Sequence, residues 1–387
     1  MNRILLSLAA CAVLATSAVT ANAQNADPKH GLSVFGDLKY GNGFSHFSYA
    51  NPDAPKGGAL KVPGLDTFET VNPFILKGRK EPLAESLLFD TLMARAFDEP
   101  DAYYGLVAKT VEQPADKSWV AFNINPRAKF HDGTSITAGD VVFTYNSLKK
   151  NGHPRYRINF RDVDRAEATS PGRVKFTFKP GTHRDLATRL AALPVLSKAY
   201  YDKVDFKKTT FVAPLASGPY RVGKYEPGRS ITYSRVKNYW AKDLPVIRGR
   251  YNFDAVTVDY YRDREVMFQA FFSQQYDFRE DFTSRQWATQ YDKPAVNAGL
   301  VIREVLPDET PSGVQAFILN LRREKFHDVR VRTAIDMAFD FEWTNKTLFY
   351  SQYARTNSMF ENSTLAAKKP PTKDELALLE PFRGELP

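Results

Sequence analysis

The chain has 387 residues, of which 43% are hydrophobic and 25% charged, so it is long enough for two or three domains of ordinary globular composition. Its 53 basic and 44 acidic residues give a formal net charge of +9, but the basic residues are interleaved with acids instead of forming a stripe, which argues against nucleic-acid binding. The single cysteine, Cys11, excludes disulfides and cysteine metal sites from the remainder of the chain.

The N-terminus follows the plan of a secretory signal peptide. Arg3 lies in a short basic start, residues 4–19 form an apolar run, and small residues end at Ala23. We therefore predict export to the periplasm with cleavage after Ala23. The alternative is a lipoprotein anchored through Cys11, because residues 8–11 spell a lipobox, but the apolar run before Cys11 is short for that role. No later run has the roughly 18 apolar residues of a membrane span.

The first half of the mature chain carries several local signals. Residues 30–62 are dense in glycine, proline and aromatic residues, which predicts a wrapped segment held by ring packing. A strand and turn over 59–74 precede a predicted helix over 82–97, whose leucines share one face. Between them lies the short basic stretch 77–79, which its residues alone would make a solvated loop.

A strand, a turn and a capped helix are predicted in the middle of the chain. The run 119–124 is a strand pattern, 131–133 a tight turn, and Thr137 an N-cap with Asp140 completing a capping box. On the residues alone this stretch is scaffold, without chemistry at His131.

Later segments alternate strands and helices. We predict a strand over 174–180, a meander of strands over 217–240, a strand over 251–263 that leads into a helix, and a strand over 317–320 before a helix capped at Asp328.

Catalytic and metal signatures are missing from the sequence. The six histidines form no H-x-x-x-H pair, and there is no G-x-S-x-G elbow or calcium loop. Residues 218–225 have the spacing of a phosphate loop, but Tyr225 replaces the magnesium-binding Ser or Thr and Pro219 lacks an N–H. We therefore expect no enzyme activity, no catalytic residue, no metal site and no cofactor.

Residues 126–143, PRAKFHDGTSITAGDVVF, resemble the signature of the family 5 extracellular solute-binding proteins, which are the peptide-binding components of ABC importers. The block at 217–240 is similar to another part of the family pattern. Residues 30–62 resemble the N-terminal extension of the Yej-type branch, which is associated with uptake of peptides and of the peptide-nucleotide microcin C.

The resemblance implies an α/β fold, that of a type II periplasmic binding protein with two lobes around a cleft and an additional inserted domain. Its expected divisions are a signal peptide over 1–23, lobe I over 24–88 and 184–281, the inserted domain over 89–183, and an incomplete lobe II over 282–387.

The resemblance also implies a binding site. It puts Lys77, Gly78 and Arg79 at cleft-lining positions, Glu280 at the crossover between the lobes, and Asn320 at a strand end that faces substrate. For Asn320 an ordinary turn residue is the alternative, because asparagine is common in turns.

The function implied is capture of oligopeptides, including peptide-nucleotide conjugates, and their delivery by a monomer to an ABC permease and its ATPase. Three alternatives stay open: the same fold binding a sugar, a metal chelate or haem; a truncated form without transport activity; and an exported hydrolase.

Overall fold

The computed structural model describes residues 26–181, 184–306, 311–363 and 365–385. Internal contacts divide the chain into two units. Unit 1 consists of the described residues up to 96 and from 101 to 278, and unit 2 consists of residues 97–100 and the described residues from 279 onward. The finer division at 89, 184 and 282 stays a prediction, and the predicted signal peptide lies outside the described residues.

Unit 1 holds the strands and six helices of the described chain. The strands are β1 Gly31–Ser33, β2 Ala59–Leu65, β3 Met93–Arg95, β4 Ala102–Gly105, β5 Ala108–Glu112, β6 Trp119–Ile124, β7 Val163–Ser170, β8 Arg173–Phe178, β9 Tyr220–Glu226, β10 Ser230–Arg235 and β11 Ala255–Tyr261. The helices are α1 Ala84–Leu88, α2 Ala138–Asn151, α3 Pro154–Asn159, α4 Leu186–Ala191, α5 Lys198–Tyr201 and α6 Arg264–Phe272.

The strands form three sheets. Their orders are β1-β4-β3, β2-β11-β10-β9 and β5-β6-β8-β7. The pairs are antiparallel except β2 with β11, which run parallel and in register from Ala59 opposite Ala255 to Leu65 opposite Tyr261. The predicted meander is confirmed as β9 and β10. Residues 218–225, which have the spacing of a phosphate loop, lie largely within strand β9.

Helix α2 begins where its capping signal predicts. The Asp140 N–H donates to Thr137 Oγ1 at 3.3 Å, and the Thr137 N–H donates to Asp140 Oδ2 at 2.9 Å, which together form a capping box. Tyr145 is buried and its ring lies 5.5 Å from that of Phe176 on β8. The predicted strand, which is β6, and the capped helix are therefore confirmed, and the helix packs on the neighbouring strand β8.

The predicted wrapping of the N-terminal segment is also confirmed. Tyr40, Phe44, Phe47 and Tyr104 form one ring cluster, with centroids 5.1 to 5.7 Å apart. The Tyr104 hydroxyl accepts from the Tyr40 N–H at 3.1 Å, which ties the segment to β4. Aromatic burial thus holds the part of the segment between β1 and β2, while those two strands pair in the sheets.

The helix predicted over 82–97 is wrong in extent. Helix α1 ends at Leu88, and the chain continues as β3. The reason is tertiary: the Leu92 N–H donates to the Leu193 carbonyl at 2.8 Å, and the Leu92 carbonyl accepts from the Ala108 N–H at 2.7 Å. Hydrogen bonds to distant segments therefore replace those that would continue the helix.

The described residues of unit 2 form helices and no strands, with irregular segments between the helices. The helices are α7 Ser284–Thr289, α8 Pro294–Asn297, α9 Val329–Met337, α10 Phe341–Leu348 and α11 Lys373–Leu379, with 3-10 turns at Glu324–Phe326 and Glu380–Phe382. The predicted helix capped at Asp328 is confirmed as α9, since the Asp328 side chain accepts from the Arg330 N–H at 2.8 Å. Within the described ranges of both units, no helix has the length and apolarity needed to cross a bilayer.

The strand predicted over 317–320 is wrong. The residues have no strand conformation, and Phe317 and Ile318 are 96% and 92% exposed. A strand needs a neighbour for its backbone hydrogen bonds, and the described part of unit 2 supplies none.

Candidate functional site

The candidate site in unit 1 begins at the carboxyl end of the parallel strand pair. Strand β2 ends at Leu65, opposite Tyr261 at the end of β11. The next residue, Asp66, has a φ of 71° and donates its N–H to the Tyr261 carbonyl at 2.6 Å. In open α/β sheets, ligands bind outside the carboxyl ends of parallel strands, so this edge is where a binding loop is expected.

The loop that leaves this edge is closed by its own backbone. The Glu69 and Thr70 N–H groups both donate to the Arg79 carbonyl, at 2.7 and 3.2 Å, and the Arg79 N–H donates to Glu69 Oε2 at 2.8 Å. The Glu81 N–H donates to the Thr70 carbonyl at 3.0 Å. These bonds fix the two stems of a loop whose tip is Lys77 and Gly78.

The three sequence-predicted residues of this loop are adjacent and exposed. Lys77, Gly78 and Arg79 are all solvent-accessible. Gly78 has a φ of 81°, and a Cβ atom placed on it would lie 3.0 Å from Thr209 Cγ2. Glycine adopts this conformation without the steric cost that a Cβ atom adds, so the positive φ and the closeness of Thr209 together favour glycine at the tip.

A buried carboxylate anchors the loop to the sheet. Glu81 is fully buried, and it accepts hydrogen bonds from the Tyr233 hydroxyl on β10 and, at 3.2 Å, from the Tyr260 hydroxyl on β11. Burial raises the pKa of Glu81, although the bonds from the two tyrosines partly oppose that effect. The sequence predicted that Glu81 ends the specificity loop at 77–81, but it gave no sign that Glu81 anchors the loop to the sheet.

The basic side chains of the loop differ in their partners. Arg79 forms an ion pair with Asp66, and Lys80 Nζ lies 3.8 Å from Glu85 Oε2, which also pairs with Arg155 at 2.9 Å. Lys77 has no hydrogen bond or ion pair to another described residue. One of the three cations at residues 77–80 is therefore left for solvent or a ligand.

Glu280 lies in unit 2 between two buried charges. The side chains of Arg279 and Asp281 are 4% and 2% exposed and lie 3.6 Å apart, and Tyr291 donates its hydroxyl to Asp281 Oδ2 at 2.9 Å. Burial and the bond to Asp281 raise the pKa of Tyr291 to about 12. Glu280 itself is exposed, because the neighbours on either side point into the unit.

Asn320 is a turn residue in this structure. It is exposed, its carbonyl accepts from the Arg323 N–H at 3.0 Å, and its Oδ1 accepts from the Arg322 N–H at 3.1 Å. Such side-chain bonding to the backbone two residues on is the usual geometry of asparagine in turns. Asn320 therefore does not end a strand, and any part in binding stays a prediction.

The comparisons with known proteins agree on a family. Residues 102–380 match the family described as "Bacterial extracellular solute-binding proteins, family 5 Middle". The uncharacterized protein YejA of Escherichia coli K12 is 41% identical over 366 residues, which are 94% of this chain and 60% of that protein. The probable peptide-binding protein YejA of Agrobacterium fabrum is 38% identical over 396 residues, covering 100% of this chain and 64% of that protein. The chain thus spans less than two thirds of the length of these relatives.

A solved structure supports the fold. The oligopeptide-binding protein AppA from Bacillus subtilis, solved with a nonapeptide, aligns with a TM-score of 0.59 at 18% identity, over 81% of this chain and 60% of that one. The predicted α/β fold of a type II periplasmic binding protein is therefore confirmed.

Proposed function

Because the chain belongs to the family 5 extracellular solute-binding proteins, we propose that it captures oligopeptides in the periplasm for an ABC importer. The observation that carries the proposal is the exposed loop at Lys77, Gly78 and Arg79, held at the carboxyl edge of the parallel pair β2 and β11. The name of the Agrobacterium relative, a probable peptide-binding protein, points to the same ligand class.

Each unit has its own proposed ligand contacts. In unit 1 the loop at 77–79 presents a cation to a carboxylate of the peptide, because a charge-assisted hydrogen bond is about twice as strong as a neutral one. In unit 2 the proposed contacts are Glu280, which is exposed, and Asn320, whose amide nitrogen remains able to donate. Glu280 suits a peptide ammonium group.

The proposed cellular role follows the family. The chain is exported by a cleavable signal peptide, acts as a monomer, and passes its peptide to a permease and ATPase at the inner membrane. Catalysis has no part in this role. Closure of the fold around a ligand would supply the form that a permease recognises.

Native mass spectrometry of the chain expressed in the periplasm tests this proposal. We expect co-purifying masses that fragment as short peptides, and calorimetry with acetyl-trialanine should show binding to the chain after it has been stripped of ligand. A co-purifying sugar or metal chelate, together with no heat from the peptide, would overturn the proposal.

A further inference from the structure

The loop that follows β2 carries an acid that changes what its basic residues can do. Asp66 pairs with Arg79, while Lys77 is exposed and unpaired among the described residues. We infer that Lys77 alone contacts the ligand carboxylate, and that Asp66 is a specificity-determining residue because it holds Arg79 away from that contact. This inference rests on the proposed function.

Both members of the ion pair are positioned by backbone bonds. Asp66 follows β2 directly and is tied to the Tyr261 carbonyl through its N–H. The Arg79 carbonyl accepts from the Glu69 N–H at 2.7 Å, and the Arg79 N–H donates to the Glu69 carboxylate at 2.8 Å. An exposed ion pair is weak chiefly because two mobile side chains must be ordered. The side chains of Arg79 and Asp66 are 50% and 58% exposed, so the backbone bonds fix only where the two side chains begin. The advantage of Asp66 over a ligand carboxylate is that it already belongs to the same loop and is always at a high local concentration.

The remaining cations on this side of the loop are also engaged. Lys80 faces Glu85, and Glu85 is shared with Arg155. The Glu69 carboxylate is occupied by the Arg79 N–H instead of by Lys77. The basic run at residues 77–80 therefore presents one available ammonium group and not a cluster of positive charge.

The chemistry of that ammonium group indicates a ligand class. A lysine is a compact charge with three rotatable donors, whereas the planar guanidinium of arginine matches a phosphate or carboxylate through two parallel bonds. With Arg79 withdrawn, the loop suits a peptide that presents a single carboxylate. Because Asp66 neutralises Arg79, the loop has no second free cation to balance a further anionic group, such as a phosphate, at the same place.

A test compares two probes on the complete chain by calorimetry. The probes are acetyl-trialanine with a free carboxylate and the same peptide with a C-terminal amide. The readout is the affinity for the free carboxylate divided by the affinity for the amide, called the carboxylate ratio. Lys77→Ala should lower the ratio about tenfold, the usual worth of a hydrogen bond to a charged group. Lys80→Ala is the matched control and should leave the ratio unchanged, because Lys80 is already paired.

Two further variants separate Lys77 from Arg79. The double variant Asp66→Asn with Arg79→Ala removes both halves of the pair and should keep the wild-type ratio. Asp66→Asn alone releases Arg79, and it should raise affinity for the free carboxylate about two- to fivefold, the range for an exposed pair. The Asp66 backbone bond survives in both, and circular dichroism melts check that they fold.

The outcomes separate the inference from the proposed function. If the affinity for the free carboxylate relative to the amide fell in the double variant and did not fall in Lys77→Ala, the inference would be overturned while peptide binding stayed intact. If the wild-type chain bound neither probe, the proposed function would fail and the inference with it.

Discussion

Asp90 is a buried carboxylate whose ionisation should destabilise the folded chain. It is 4% exposed, and its oxygens accept from the Tyr239 hydroxyl at 2.5 Å and from the Trp240 indole N–H at 2.8 Å. Burial raises the pKa of Asp90 from 3.8 to about 7, because it penalises the charged form more than the bonds from Tyr239, Trp240 and Ser217 favour it.

The sign of the pH effect follows from proton binding. Between pH 4 and pH 7 the folded chain keeps the Asp90 proton and the unfolded chain releases it, so stability falls as pH rises through this window. The displacement of the pKa from 3.8 to about 7 corresponds to about 4 kcal/mol at 1.36 kcal/mol per pH unit.

The perturbation is Asp90→Asn, which cannot ionise and has the shape of the protonated acid. We expect its free energy of unfolding minus that of wild type to increase by about 4 kcal/mol between pH 4 and pH 8, because only wild type loses stability as Asp90 ionises. Urea unfolding followed by circular dichroism at a series of pH values measures it. Any cost in stability where the amide group of the variant faces the Trp240 N–H is the same at every pH. It therefore cancels from the change in the free energy of unfolding between two pH values.

Asp243→Asn is the matched control, because that side chain is 76% exposed and pairs with Lys242 on the surface. Its difference from wild type should stay within about 0.5 kcal/mol across the same range. A flat curve for Asp90→Asn would refute the reasoning, because it would mean that the bonds from Tyr239 and Trp240 balance burial. A curve that falls as pH rises would refute it too, because the bonds would then outweigh burial.

Three further substitutions test the fold. Thr137→Ala removes the N-cap of α2 and should lower the free energy of unfolding by about 1 kcal/mol in urea, with Thr137→Ser nearly neutral; an equal loss in both would contradict the capping argument. Phe122→Ala empties a fully buried position on β6 and should cost about 3–5 kcal/mol in the same assay, so a loss below about 1 kcal/mol would mean that the site collapses or is not core. Gly78→Ala should cost about 1–2 kcal/mol for its φ of 81°, plus crowding against Thr209. Gly133 has a φ of 88° and open space around it, so Gly133→Ala measures the cost of the positive φ alone. An equal loss in Gly78→Ala and Gly133→Ala would exclude a contribution from crowding against Thr209.

Sequence alone predicted the elements whose signals are local. Strand β6 has the predicted bounds, and α2 starts at the predicted cap, because the Thr137 and Asp140 bonds are made within one turn of chain. The prediction over 82–97 failed because a leucine pattern does not reveal that Leu92 will bond to Leu193 and Ala108. The strand over 317–320 failed for a related reason, since a strand is defined by a partner.

The candidate site shows the same division. Motifs and alignment identified the family and selected the loop at Lys77, Gly78 and Arg79 from a stretch that would otherwise be a solvated surface. They did not reveal that Glu81 anchors the loop through Tyr233 and Tyr260, which lie far along the chain.

The sequence by itself determined the family, the α/β class and the places where capped helices and amphipathic strands begin. The tertiary structure decided which charges are paired, which are buried and which remain available, as the different partners of Lys77, Arg79 and Asp90 show. The physical reason is that a cap is set by neighbours in the chain, whereas the energy of a charge depends on its distance to other charges and on its access to water. Both quantities exist only once remote segments have packed together.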